Sequence, residues 1–268
     1  MKPLHTLLAR TGLSIALLFS PLVGASHGPS HVSELGIILD AAKTQQLAVQ
    51  KVRYALQAQA HQLDLSGLVG LTELPPNLST LRDLRHLSLA NTGITDIGAL
   101  GKLQQLESLD LSLTEISDIR VLAQLPALKT LWLSNSRVTD IGVLAGVPQL
   151  RQLYMAALPI TDFTPLAQLA KLRELDLRYS RIRSLEPLAQ LLELRALNLS
   201  HSGAAELESI SALPMLAVLE LGHSVLTDFS VLGKFSALSQ LTASALDKTA
   251  IEAALSQSQR SQLRIIYY

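Results

Sequence analysis

The chain has 268 residues, 60 of them Leu, with only 4% aromatic and 16% charged side chains. So much apolar surface excludes a disordered chain, and 22 Lys and Arg against 22 Asp and Glu leave no positive field for a nucleic-acid binder. With no Cys there is no disulfide framework, no thiolate nucleophile and no Cys-based zinc or iron–sulfur site.

Residues 1–25 read as a secretory signal peptide. Lys2 and Arg10 precede an apolar run from Leu13 to Val23, and Val23-Gly24-Ala25 supplies a small-x-small ending. The run falls short of the roughly 20 apolar residues of a spanning helix. The segment predicts an exported protein, periplasmic or secreted, with no membrane span once it is cleaved. Residues 26–59 form a helical cap. Within it Ser33 to Leu56 is an amphipathic helix, with Leu35, Ile38, Leu39, Ala42 and Val52 on the face toward the rest.

From Leu84 onward a period of 22 governs the chain. Leu84, Leu106, Leu128, Leu150, Leu172, Leu194, Leu216 and Leu238 form one column; Leu87 to Leu241 form a second in the same register. Further columns (Leu89 to Leu221, Ile94 to Leu226, Ile97 to Phe229) are apolar as well. Residues 84–244 are the repeats. Residues 60–83 are a divergent first unit carrying Leu63-x-Leu65 and Leu71-x-x-Leu74-Pro75. The period-2 pair Leu87-x-Leu89 reads as a short strand with one apolar face, which only stacking on its neighbours can bury. The Asp-Ile-x-x-Leu stretch returns the chain on the far side. There Thr95, Ser117, Thr139, Thr161 and Thr227, each before an Asp, are candidate caps of short helical turns. Residues 245–268 close the stack with a helix capped by Asp247, carrying Ile251, Ala254 and Leu255, and then a tenth strand at Leu263-x-Ile265.

The unit L-x-x-L-x-L-x-x-[TS]-x-I-[TS]-D-I-x-x-L-x-x-L-x-x resembles a leucine-rich repeat, and its length and I-T-D-I segment are similar to the internalin-like class of bacterial repeats. The resemblance implies an α/β fold: a right-handed solenoid with a parallel sheet on its concave face. Short turns or 3-10 helices line the convex face, and helical N- and C-terminal caps cover the ends. It also implies a protein- or peptide-binding role, since the family shares a scaffold and not a chemistry. One column departs from the family's usual corner Asn. It reads Thr92, Thr114, Ser136, Leu158, Ser180, Ser202 and Ser224. A hydroxyl can bond the backbone as the amide does, but Leu158 cannot, which predicts an altered, faster-exchanging corner at residues 156–159.

No phosphate-cradling Gly loop, nucleophile elbow or H-E-x-x-H motif occurs. Asp96, Asp118, Asp140 and Asp162 recur every 22 residues and read as turn caps rather than general acids. His201 and His223 share a register with Glu220 nearby; they read as solvent-facing histidines, with a transition-metal site the minor alternative. No cofactor and no catalytic residue is predicted. The position between the strand leucines carries Asp110, Trp132, Tyr154, Asp176, Asn198 and Glu220, and Arg178, Tyr179, His201 and His223 lie close by. Trp, Tyr and Arg most often anchor interfaces. These ten residues are therefore the expected concave surface for a protein or peptide partner with an apolar knob and basic rim. A secreted effector or inhibitor of a target enzyme is the alternative.

Overall fold

The computed structural model describes residues 40–268. The expected signal peptide, and Leu35, Ile38 and Leu39 of the N-terminal helix, lie outside these residues. The described part holds ten strands in one parallel sheet, ordered as in the sequence. They are β1 Gln62–Asp64, β2 His86–Ser88, β3 Ser108–Asp110, β4 Thr130–Trp132 and β5 Gln152–Tyr154. Then come β6 Glu174–Asp176, β7 Ala196–Asn198, β8 Val218–Glu220, β9 Gln240–Ala243 and β10 Arg264–Tyr267. The expected solenoid of leucine-rich repeats is the observed fold, and the closing tenth strand pairs with β9, Ile265 opposite Leu241.

Each strand is three or four residues long because only the L-x-L core of the unit alternates. The periodic leucines lie opposite one another: Leu87 faces Leu109, which faces Leu131 and then Leu153. A one-residue slip would turn every one of these leucines to the other face, so the repeat fixes the register. Leu106, Leu109, Leu111, Leu128, Leu131 and Leu133 are all fully buried, and the same columns stay buried along the chain until Leu238, which is partly buried. Burying each side chain contributes about 1.5–3 kcal/mol, and one continuous core results.

The return stretch forms a 3-10 helix in each repeat, for example Gly98–Lys102, Arg120–Gln124 and Gly142–Gly146. The N-cap position itself is apolar (Ile97, Ile119, Ile141), and the Asp before it, not the Ser or Thr, bonds the first turn. Asp96 Oδ1 accepts from the Gly98 N–H at 2.8 Å, and Asp118, Asp140, Asp162 and Asp228 repeat the bond two residues on at 2.7–2.9 Å. A carboxylate reaches the N–H two residues ahead, satisfying a donor that the short helix leaves open.

At the exit of each strand the backbone turns through the left-handed region. Asn91, Leu113, Asn135, Ala157, Tyr179, His201 and His223 have φ between 51° and 58°. At the corner predicted to be altered, Ala157 keeps a φ of 57° and its N–H bonds the Arg178 carbonyl at 2.8 Å, but Leu158, buried in the core, makes neither a hydroxyl bond nor a backbone N–H bond to the Met155 carbonyl. Thr92 and Thr114 do donate to the carbonyls three residues back, at 2.7 and 2.6 Å. The equivalent corners at Ser136, Ser180, Ser202 and Ser224 are closed instead by the backbone N–H to the same carbonyl, at 3.0–3.1 Å.

Helix α1 (Ala41–Gln57) covers the first rung. Asp40 caps it by accepting from the Lys43 N–H at 2.8 Å, and its buried face is Thr44, Ala48, Val52 and Ala55. Ala42, expected on that face, is exposed, because the packed stripe runs through Thr44 instead. At the other end α2 (Lys248–Ala254) and α3 (Gln257–Gln262) cover the last rungs, with Ile251 and Leu255 buried. Asp247 makes no capping bond. Ser244 accepts from the Leu246 N–H ahead of α2, and Ser256 with Gln259 forms a capping box on α3.

Candidate functional site

Alternation along the strands brings three columns to the outer face of the sheet: the first strand residue, the third, and the second residue past the strand. The third-residue column holds most of the predicted surface, and the geometry gives several of its members a local task. Asp64, Asp110, Asp176 and Asn198 each accept, through Oδ1, the backbone N–H two residues on, at 2.8–3.0 Å. These short polar side chains close the strand end and lead the chain into the left-handed corner.

The predicted residues then separate into three groups. Trp132 and Tyr154 lie in adjacent rungs and stack, ring centres 5.3 Å apart and planes 7° from parallel. Trp132 is half-buried, whereas Tyr154 was expected to face solvent and is only 5% exposed. The Tyr154 hydroxyl donates to Glu174 Oε2 at 2.7 Å, and burial together with the Glu174 charge drives its pKa upward. Tyr154 thus acts as the support on which the indole rests. Glu174 and Gln152 were missed by reading only the third-residue column. Period-2 alternation puts the first column on the same face, and Thr130 donates to Gln152 Oε1 there at 2.9 Å.

The second group is a polar network on β6 to β8. Arg178 folds back as a bidentate clamp on Asp176, with Nε and Nη2 2.8–3.1 Å from the carboxylate. Asn198 donates through Nδ2 to Glu220 Oε2 at 2.6 Å. Asp176, Asn198 and Glu220 are all buried, so they are not the open surface predicted for them. Burial raises the Glu220 carboxyl to about 7, with Arg178 opposing the shift and Asp176 adding to it.

The third group lines the edge where the chain leaves the strands. Tyr179, His201 and His223 occupy successive left-handed corners and are exposed. Tyr179 stacks on His201 at 4.5 Å, His201 on His223 at 4.6 Å, and Tyr268 leans on His223 at 5.9 Å. The two imidazole planes lie 21° apart, so their in-plane lone pairs do not converge on a common point. That geometry disfavours the bridging metal considered for the pair, and no group of three ligand side chains is positioned to hold one among the described residues. Desolvation, then the neighbouring His223, lowers the pKa of His201.

Where β1 to β4 meet, the face opens into a hollow of about 410 Å³ lined by residues such as Asp64, His86, Ser88, Asp110 and Trp132. Burial raises the pKa of Asp110, and the charge of Asp64 adds to the shift. No cation pairs with either carboxylate among the described residues; Lys51 bonds the Asp64 backbone carbonyl instead, at 2.9 Å.

A family described as leucine-rich repeats in two copies matches residues 82–124 and 126–168. Internalin C2 from Listeria monocytogenes is 27% identical, with a TM-score of 0.68 over 73% of this chain and 92% of that one. The chain carries leucine-rich repeats and is similar to an internalin in fold. A second Listeria monocytogenes internalin, InlF, shares the fold at 20% identity, with a TM-score of 0.69 over 87% of this chain and 72% of its own. The Arabidopsis thaliana receptor kinase HAESA, solved with a peptide hormone and a co-receptor, shares the fold alone. It is 19% identical, with a TM-score of 0.56 over 76% of this chain and 45% of that one. No curated protein matches the sequence. Leucine-rich repeats of this kind are protein-interaction scaffolds, and no described helix here is long and apolar enough to cross a membrane.

Proposed function

We propose that this leucine-rich-repeat protein is an exported, non-catalytic recognition module that grips a protein or peptide on its sheet face, with the hollow at β1 to β4 as the anchor point. The observation that carries the reading is Trp132 at the border of that hollow, held by Tyr154 on one side with Asp110 on the other. A rigid aromatic set in a concave patch is the usual core of an interface hot spot. The carboxylates of Asp64 and Asp110 favour a basic rim on the partner. The peptide-bound HAESA structure supports the use of such a scaffold for peptide ligands, and the signal-type residues 1–25 support export.

The test places a photoreactive residue at Ser88, inside the hollow, and at exposed Leu113 as a control, then compares captured proteins from cell envelope and culture fluid. A partner captured at 88 and not at 113, and lost when Trp132→Ala or Asp110→Asn is added without change in circular dichroism, bears out the proposal. Capture that ignores both substitutions, or that is equal at the two positions, refutes it.

A further inference from the structure

The edge where the chain enters the strands carries a second surface, independent of the hollow. One column there runs through Arg85, Glu107, Lys129, Arg151, Arg173 and Arg195, in unbroken backbone contact. Each N–H bonds the carbonyl one rung before, as in Arg173 to Arg151 at 2.7 Å and Arg195 to Arg173 at 2.8 Å. Successive side chains therefore start about 4.8 Å apart.

The two halves of this column differ. In the first, Glu107 sits between two cations and pairs with both, Lys129 at 2.6 Å and Arg85 at 3.3 Å. In the second, three arginines stand in consecutive rungs with no acid interleaved. Arg173 pairs with Glu193 at 2.9 Å, whereas Arg151 and Arg195 are exposed and make no ion pair among the described residues. Three like charges in adjacent rungs repel one another. On the same approach to the strands, Leu192, three residues before Arg195, and Met215, one repeat after Glu193, are 56% and 44% exposed and supply an apolar ledge.

We infer that this edge is a docking strip for an acidic segment of a polypeptide, whose carboxylates engage Arg151 and Arg195 while an apolar side chain rests on Leu192 and Met215. Planar guanidinium groups match carboxylates in bidentate pairs. The strip is one column wide, with Glu107 two rungs before Arg151 and Glu193 paired with its middle arginine, Arg173. The formal net charge of the whole chain is zero. A phosphate polymer or an anionic bilayer needs a broader positive field than that. The apolar ledge likewise suits a chain of mixed acidic and apolar residues.

The probe is a fluorescein-labelled peptide of alternating Glu and Leu, titrated against the full chain by fluorescence anisotropy at 50 and 200 mM NaCl. The expected result is binding that weakens with salt and falls at least about tenfold in Arg151→Gln/Arg195→Gln. It should remain within about twofold in Trp132→Ala, and in the control Arg82→Gln/Arg260→Gln. Circular dichroism confirms that each variant is folded; should the double variant unfold, Arg195→Gln alone is expected to weaken binding at least about threefold. Absence of binding by the native chain, or equal binding by the arginine variants, overturns the inference. So does tighter, arginine-dependent binding of polyphosphate or phosphatidylglycerol vesicles, which would make the strip a general polyanion surface. Loss of the probe in Trp132→Ala alone would also overturn the strip and leave the sheet-face proposal standing.

Discussion

Glu220 lies at the centre of the network on β6 to β8, and its charge offers a direct check on that geometry. Burial lifts its folded-state pKa to about 7, while the unfolded chain holds it near the ordinary 4.5. Between those values the folded state keeps a proton that the unfolded state has released. Raised folded affinity for an acid's proton means that stability is present in full below pH 4.5 and is lost as the pH climbs through 7. The difference of about 2.5 units corresponds to at most about 3 kcal/mol at pH 8. Glu220→Gln removes the charge and keeps an amide oxygen to accept from Asn198 Nδ2, whose orientation is fixed because its Oδ1 already holds the Ser200 N–H. The variant should match the native protein at pH 4.5 and exceed it at pH 8, by up to roughly 6–12 °C in Tm if the full amount is realised. Thermal melts of both proteins across pH 4.5–8, taken as a difference so that other titrating groups cancel, measure this. A difference that is flat, or that shrinks as the pH rises, would show that Glu220 is solvated and that the network on this half of the sheet is drawn wrongly.

Leu175→Ala in the fully buried column of β6 should cost about 2–5 kcal/mol in urea unfolding, with hydrogen-exchange protection lost first in the rungs of β5 to β7. Leu113→Asn should raise stability by about 1 kcal/mol, because an exposed Leu at φ 57° occupies a conformation that Asn adopts more readily; a destabilised variant in the same denaturation assay would contradict this. Gly222→Ala should dislodge the Tyr268 ring, since an added Cβ would collide with its hydroxyl. The phenol can swing away, so the expected signature is altered His223 ring resonances with under about 1 kcal/mol lost.

Most of the scaffold can be read from the sequence because its core is a repeated solution to one packing problem. Leu109 must bury itself exactly as Leu87 and Leu131 do, so spacing alone yields strand, register and rung. The same logic failed wherever a residue's environment depended on other columns. Tyr154 sits in an outward-facing position, but the neighbouring Trp132 and Glu174 take up its ring and its hydroxyl, and no single-column reading predicts that. The acidic column looked like partner surface, yet Asp110 and Asp176 close their own strand ends. The first-turn bonds on the opposite side fell to Asp rather than to Thr because a carboxylate one residue later has the shorter reach to the open N–H. The histidine ladder was legible as a shared register, but its stacking required the left-handed corner, a backbone feature that Tyr and His do not advertise.

The sheet face is thus divided along its length. From β5 to β8 its polar side chains are spent on one another: Tyr154 on Glu174, Arg178 on Asp176, Asn198 on Glu220. From β1 to β4 Asp64 accepts the Ser66 N–H and Asp110 bonds the backbone and side chain of Ser112, both local bonds, and the two carboxylates line a hollow. A carboxylate accepts several hydrogen bonds, so recognition has unfilled capacity in the first half and little in the second. Because each rung contacts mainly its neighbours, the hollow can change its side chains without disturbing the network, which starts two rungs beyond it, and the network can stiffen the stack without reshaping the hollow. The separation explains why the ring that meets the hollow, Trp132, stands at the junction: its far face rests on Tyr154, the first member of the stiffer half, which holds the indole in place before anything binds.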